Sequence, residues 1–341
     1  RLLGALLAGD APPPETAVRG ASVWEATVAP VEEHPVVPGP GSPVPGDPTP
    51  GSGTAPDGVL RRGGVYVVTG GLGRYGRWVA EQLLRRASAT VVLLQRGAPG
   101  PVGPASGGEA GRRSAGLARL RRLGGRVETM TCDVSDAVAL GAVLDRVEES
   151  FGPVAGVVHA AGDISSAAGF SPLGDIMADG LEAGLALQGS AKVHGTRALE
   201  QVLAGRSLDF CVLMSSNAAL LAGPGLSLYA PVNAYQHGAA QRGERPGPTP
   251  WISIGWDGWR LPTDDEEPGP GGSLDRYALS GEEAFDALCR SVRAGLPSVY
   301  VSRGSLADRY RRWVGDHGGD GPASGPEAAD TPVPAAAPGD V

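Results

Sequence analysis

Residues 65–76 read Val-Tyr-Val-Val-Thr-Gly-Gly-Leu-Gly-Arg-Tyr-Gly. The β-branched and aromatic run at its start reads as a buried strand. Thr69, Gly70, Gly71, Leu72, Gly73, Tyr75 and Gly76 then make a glycine turn. After it, Trp78–Arg86 has helical spacing, with Val79 and Leu83 four apart and Leu84 adjoining. Such glycines allow a tight turn and close backbone approach to a pyrophosphate. The helix N-terminus offers N–H groups and the positive end of its dipole. In a chain with 54 glycines the motif alone says little. Its place between a strand and a helix makes it specific.

The alternation continues outward. Thr90–Leu94, Arg126–Thr129, Val154–His159, Phe210–Met214, Trp251–Ile254 and Val299–Val301 read as further strands. Between them, Ser114 is placed to cap a helix carrying Leu117, Leu120 and Leu123. Val138–Phe151, a long helix within Leu181–Leu203, Tyr229–Arg242 and Gly281–Ala294 complete the pattern. Continuous apolar strands alternating with helices predict an α/β fold, a Rossmann-like doubly wound parallel sheet of about seven strands. This catalytic domain is expected over residues 61–315. Residues 37–60 and 316–341 read as disordered linkers, too rich in Gly, Pro and acid to bury a core. Within residues 1–36, Arg19–Glu33 has strand-like content but cannot form a core alone.

Composition excludes several classes. The chain has 341 residues and a net charge of −8, which argues against a nucleic-acid or polybasic membrane partner. There is no run of 18 apolar residues to span a membrane. The N-terminal apolar stretch is too short for a signal peptide, and without an initiator Met a piece of a longer chain is expected. Three cysteines far apart make neither a disulfide framework nor a metal site. Cys132 and Cys211 are expected as reduced core residues, which fits a cytoplasmic location. Of 29 Lys and Arg, only Lys192 is lysine, and Asn occurs only at Asn217 and Asn233.

The cofactor is legible next. An NAD-selective site carries an acid about 20 residues past the glycines. Here the second strand ends Leu94-Gln95-Arg96-Gly97, without an acid. Arg96 can pair a 2′-phosphate through its planar fork, which favours NADPH. Asp133 and Val134 are placed to line the adenine. His159, Ala160, Ala161 and Gly162 end the fourth strand with small residues, where the backbone can approach ribose and nicotinamide. Arg74 is a second candidate phosphate contact, or a surface residue.

The fifth strand leads into Ser215-Ser216-Asn217. Tyr229 follows, and Asn233 lies four residues on, on the same helix face. Lys192 lies 24 residues before Ser216, on the preceding helix. Hydride reduction of a ketone needs a proton donor at the developing alkoxide. A phenol with pKa near ~10 serves better when a cation lowers that value. Lys192 can do so and relay protons. Ser216 can stabilise the oxyanion, and Asn233 can hold Lys192 or a water chain.

Together these residues resemble the short-chain dehydrogenase/reductase superfamily, and within it the ketoreductase domain of modular type I polyketide synthases. Most of the superfamily has Tyr-x-x-x-Lys. Here Asn233 takes that Lys position, and the Lys lies upstream in Ala191-Lys192-Val193-His194-Gly195. Similar phrases are Gly156–Gly162, Leu208-Asp209-Phe210, Tyr229–Tyr235 and Ile254–Trp259. The resemblance implies an NADPH-dependent 3-oxoacyl reductase whose substrate is a β-ketoacyl group on an acyl carrier protein, beside other domains of one synthase module. It implies Lys192, Ser216, Tyr229 and Asn233 as the catalytic set. It also implies that residues 1–36 are the end of a structural subdomain. The alternatives are a catalytically silent reductase-like domain and a free-standing ketone reductase. Two stereochemical markers of the family are absent: Ile164-Ser165-Ser166 replaces Leu-Asp-Asp, and Leu221 stands where a Trp would mark the opposite class. Pro231 leans towards the first class. Arg260–Ser280 stands where the family has a lid, or is a solvated acidic loop.

Overall fold

The computed structural model describes residues 16–19, 22–25, 28–31, 55, 58–97, 108–162, 174, 176, 181–223, 225–242, 247–262 and 275–315. The chain divides into two units, residues 1–26 with 311–341 and residues 27–310. In the first, β1 (Thr16–Arg19) and β2 (Ser22–Glu25) form an antiparallel hairpin with Thr16 opposite Glu25.

The second unit holds β3 (Val65–Thr69), α1 (Arg74–Ala87), β4 (Thr90–Gln95), α2 (Gly108–Leu120), β5 (Arg126–Thr131), α3 (Ala137–Phe151) and β6 (Val154–His159). There follow α4 (Leu181–Gly189), a π-helical turn (Ser190–Gly195), α5 (Thr196–Leu203), β7 (Phe210–Ser216), α6 (Ala218–Leu221) and α7 (Tyr229–Gln241). The unit closes with β8 (Trp251–Trp256), β9 (Trp259–Arg260), β10 (Leu279–Ser280), α8 (Gly281–Ala294), β11 (Ser298–Val301) and α9 (Leu306–Tyr310). Seven strands form one parallel sheet in the order β11-β8-β7-β6-β3-β4-β5. The order reverses direction between β3 and β6, so a crevice opens at the carboxyl ends of those two strands.

Period-two strands covered on both faces give two cores. Tyr66, Val68, Phe210, Val212, Ile252 and Ile254 point to the α1 and α8 side, where Tyr66 stacks on Phe210 at 5.9 Å. Val65, Val67, Cys211 and Leu213 point to the side of α3 and α5. Each such side chain contributes about 1.5–3 kcal/mol by leaving water. Gly281 opens α8 against Trp78 of α1, where an added Cβ would lie 2.4 Å from the indole. The Trp78 indole N–H donates to the Gly281 carbonyl at 2.8 Å.

All seven sheet strands lie where the sequence predicts them. Three details differ. Ser114 is not a cap: α2 begins at Gly108, and Ser114 is buried within it. The reason is packing, because Arg77 of α1 lies across Gly116 and donates to the Arg112 carbonyl at 2.8 Å. The long helix expected within 181–203 is interrupted by the π-helical turn. Finally, Ala55 and Leu60, expected in the linker, are buried, and the Ala55 N–H donates to the Leu60 carbonyl at 2.8 Å. An apolar Leu60 side chain has a place in the core, so the packed domain begins earlier than composition suggests. Residues 37–54, 163–173, 263–274 and 316–341, which include Ile164–Ser166 and most of the expected lid, lie outside the described residues.

Candidate active site

The glycine turn fills the crevice between β3 and β6. Gly70 adopts φ +64°, and a Cβ there would lie 2.7 Å from Ala161 Cα. A Cβ on Gly76 would lie 2.4 Å from the Gly70 carbonyl oxygen. The turn therefore accepts only glycine at these positions, where it folds closely on itself and on the chain after β6. Gly73 precedes α1 without a side-chain cap, so no side chain of that residue covers the first helical N–H groups. This cradle fits a dinucleotide pyrophosphate. Leu72 faces inward and is buried in the core. Tyr75 meets Trp259 edge-on at 5.0 Å. Arg74 donates to the Trp259 carbonyl at 2.6 Å, so it helps anchor β9.

Arg96 is exposed just past β4. Asp133 sits within its field. The Ser135 hydroxyl and N–H hold the Asp133 carboxyl below its usual range, and Arg96 adds to the effect. Val134 is buried and abuts Gly195, where an added Cβ would lie 2.9 Å from Val134 Cγ1. The His159 side chain turns inward. Its Nε2 faces the Ala191 carbonyl at 3.0 Å, and its Nδ1 faces the Thr69 hydroxyl at 2.7 Å. A carbonyl only accepts, so Nε2 carries the proton and Nδ1 accepts from Thr69. Burial pushes its pKa down to about 3, with Lys192 adding to the effect. His159 thus ties β3 to the π-helical turn.

Lys192 sits in the π-helical turn, a feature that often marks functional sites. It is 6% exposed. Its ammonium donates to the Met214 carbonyl at 2.7 Å and to Gln236 Oε1 at 3.1 Å. A Cβ on Gly162 would lie 3.2 Å from Lys192 Cε, which brings the end of β6 onto the lysine stem. The Thr196 hydroxyl closes the turn by donating to the Lys192 carbonyl at 2.6 Å. Burial pushes the Lys192 pKa down to about 7.

Tyr229 opens α7. Ser216 and Asn233 lie beside its side chain and act to lower its pKa. The Ser216 hydroxyl also accepts the Ala218 N–H at 3.1 Å, which fixes the turn after β7. Asn233 is fully buried and donates from Nδ2 to the Tyr229 carbonyl at 2.7 Å. The Tyr229 pKa is nevertheless raised, because burial outweighs the influence of those two residues. The expected lowering by a cation is therefore not what this arrangement produces. The phenol is held in its protonated form, the form that donates. Asn233 also does not hold Lys192 directly; Gln236 does. That residue is seven past Tyr229, two turns along one helix face. The spacing signal was present in the sequence, in Tyr229, Asn233 and Gln236.

Crevice, glycine turn, lysine, serine and tyrosine converge at the carboxyl end of the sheet. A family model described as KR domain matches residues 64–261. The chain belongs to the KR domain family. This ketoreductase-family chain is 34% identical over 205 residues to polyketide synthase ThaG of Burkholderia thailandensis, 60% of this chain and 3% of that protein. It is 31% identical over 247 residues to polyketide synthase GfsA of Streptomyces halstedii, 70% of this chain and 3% of that protein. Among solved structures, one described as an A1-type ketoreductase is similar with a TM-score of 0.64 and 27% identity, over 92% of this chain and 58% of that one. The ketoreductase domain thus spans a small fraction of the two curated relatives. Among its described residues, no helix is long and apolar enough to cross a membrane.

Proposed function

We propose that this domain reduces a β-ketoacyl group on an acyl carrier protein to the β-hydroxyacyl group, with NADPH, during polyketide chain extension. The observation that carries this is the Ser216–Tyr229–Asn233 cluster beside the buried Lys192, at the mouth of the glycine cradle. NADPH, when bound, supplies the hydride. The chain's own residues do the rest. Thr69–Gly73, Tyr75 and Gly76 form the cradle, with Ala160–Gly162 on its other wall. Ser216 donates to the substrate oxygen and stabilises the charge that develops there. Tyr229 gives that oxygen its proton. Lys192, charged below about pH 7, is the proton source behind it. Reduction is therefore expected to weaken as pH rises through that value.

NADPH is supported by Arg96, exposed at the end of β4 without an acid in the ribose position. Arg96→Glu is expected to shift the ratio of kcat/KM for NADPH over NADH by about 100-fold towards NADH, since a lost charge-assisted pair and a new repulsion each act on the 2′-phosphate. Steady-state kinetics with both cofactors check this. Gly70→Ala forces a Cβ into the Ala161 backbone at positive φ. It should weaken NADPH binding at least about tenfold in a fluorescence titration.

The length of the relatives supports a partner set within one synthase: the acyl carrier protein and neighbouring domains. The three cysteines are free and buried, which supports a reducing, cytoplasmic location. The test is incubation with racemic α-methyl-β-ketoacyl thioester and NADPH, followed by chiral analysis. A β-hydroxyacyl product is expected. A folded protein that binds NADPH but gives no product would be a silent reductase-like domain instead.

A further inference from the structure

Gln236 has no part in the catalytic set read from the sequence, yet it is the side chain that meets the Lys192 ammonium. It is fully buried on α7. Its Oε1 accepts from Lys192 at 3.1 Å, while its Nε2 is buried with no hydrogen-bond partner among the described residues. With Lys192 protonated this is the orientation required, because an ammonium only donates. A buried amide nitrogen without a partner is costly, and a Leu of similar size would fill the place without that cost. Packing alone does not explain an amide here.

We propose that Gln236 is a positioning residue for Lys192: its carbonyl oxygen fixes the ammonium against β7 and sets its proton affinity for the relay to Tyr229. This rests on Lys192 being the proton source. The other acceptor, the Met214 carbonyl, is also neutral, and no salt bridge reaches Lys192 among the described residues. The ionisable groups around it come from several elements. His159 approaches from β6, and Tyr229, Tyr235 and His237 lie on α7. Glu182 on α4, His194 on the turn and Arg197 on α5 are exposed. Glu200 on α5 pairs with Arg242 at 3.3 Å. Burial pushes His159 down to about 3 and His237 down to about 4, and it pushes Tyr229 up. These three stay uncharged near neutral pH, where Lys192 changes charge.

The chain offers a clean readout, because Lys192 is its only lysine. Lysine labelled with carbon-13 at Cε gives one resonance, whose pH titration in the NADPH-free protein reports this ammonium. Gln236→Glu should raise the midpoint by about one unit or more, by placing a carboxylate beside the cation. Gln236→Leu should lower it by about one unit, by removing a charge-assisted acceptor. The alkaline fall in kcat/KM should move with the midpoint in each variant. A merely structural role would not shift the two variants in opposite directions. Midpoints that stay at the wild-type value, or move the same way, overturn the proposal. Should Gln236→Leu fail to fold, the sign of the shift in Gln236→Glu decides alone. Opposite shifts in a protein that reduces no ketone would leave the Gln236–Lys192 coupling standing and sink the ketoreductase function.

Discussion

Tyr229→Phe is expected to lower the rate of ketone reduction about 1,000-fold, the middle of the range for loss of a positioned general acid. NADPH affinity should stay within about twofold of wild type, because the cradle lies on β3, α1 and β6 and the substitution removes one oxygen. In the proposed mechanism the phenol gives its proton to the substrate oxygen. The phenol lies beside Ser216 and Asn233, and burial keeps it protonated. Phe fills the same volume, so the helix start and its Asn233–Tyr229 backbone contact survive. Rapid-mixing measurement of NADPH oxidation with a β-ketoacyl thioester separates the two quantities. Loss of binding in parallel with rate would place Tyr229 in the cofactor site instead.

The second large effect is at Lys192. Lys192→Arg retains a charge but should cost at least about 100-fold in rate. Arginine does not release its proton in proteins, and its planar fork cannot occupy the place of a compact ammonium between Met214 and Gln236. Lys192→Met removes the charge and should also abolish the relay, but its effect on stability carries a distinct pH signature. In wild type the lysine titrates near 7 when folded and at 10.5 when free. Between those values the unfolded chain binds more protons. Wild-type stability therefore rises with pH over that window, and the burial cost is present in full below it. The methionine variant has no such dependence. Its stability relative to wild type should be most favourable at pH 6. It should decline by on the order of 4 kcal/mol by pH 10. Urea unfolding of both proteins at the two pH values checks the sign.

Most of the fold was legible because its elements are set by local chemistry. The strands are continuous apolar runs, and the helices between them carry their apolar residues at helical spacing. The Asp136 cap on α3 and the Ser280 capping box on α8 satisfy helix N–H groups at the starts of those elements. The differences arose where tertiary packing overrode a local signal. Ser114 looks like a cap until Arg77 packs across its helix. Leu60 looks like linker until its side chain finds the core. The π-helical turn around Lys192 has no sequence signature. It is stabilised by contacts from elsewhere: Gly195 against Val134 and His159, and Ala191 against the His159 ring.

The site divides the same way. Lysine stood out because this chain uses arginine for every other basic side chain of that type. Ser216, Tyr229 and Asn233 stood out by spacing after a nucleotide turn. What spacing could not show is the direction of the contacts. Lys192 goes to Gln236 and a main-chain carbonyl, Asn233 goes to Tyr229, and His159 turns into the core. Those choices depend on which side chains the sheet brings beneath α7, and so on long-range pairing.

The most direct measurement is stoichiometric product formation with NADPH and a β-ketoacyl thioester on its carrier protein. One β-hydroxyacyl group is expected per NADPH consumed by the wild-type protein, and almost none from Tyr229→Phe over the same time. Equal consumption by the two proteins, or none by a folded wild type that binds NADPH, would contradict the proposed function.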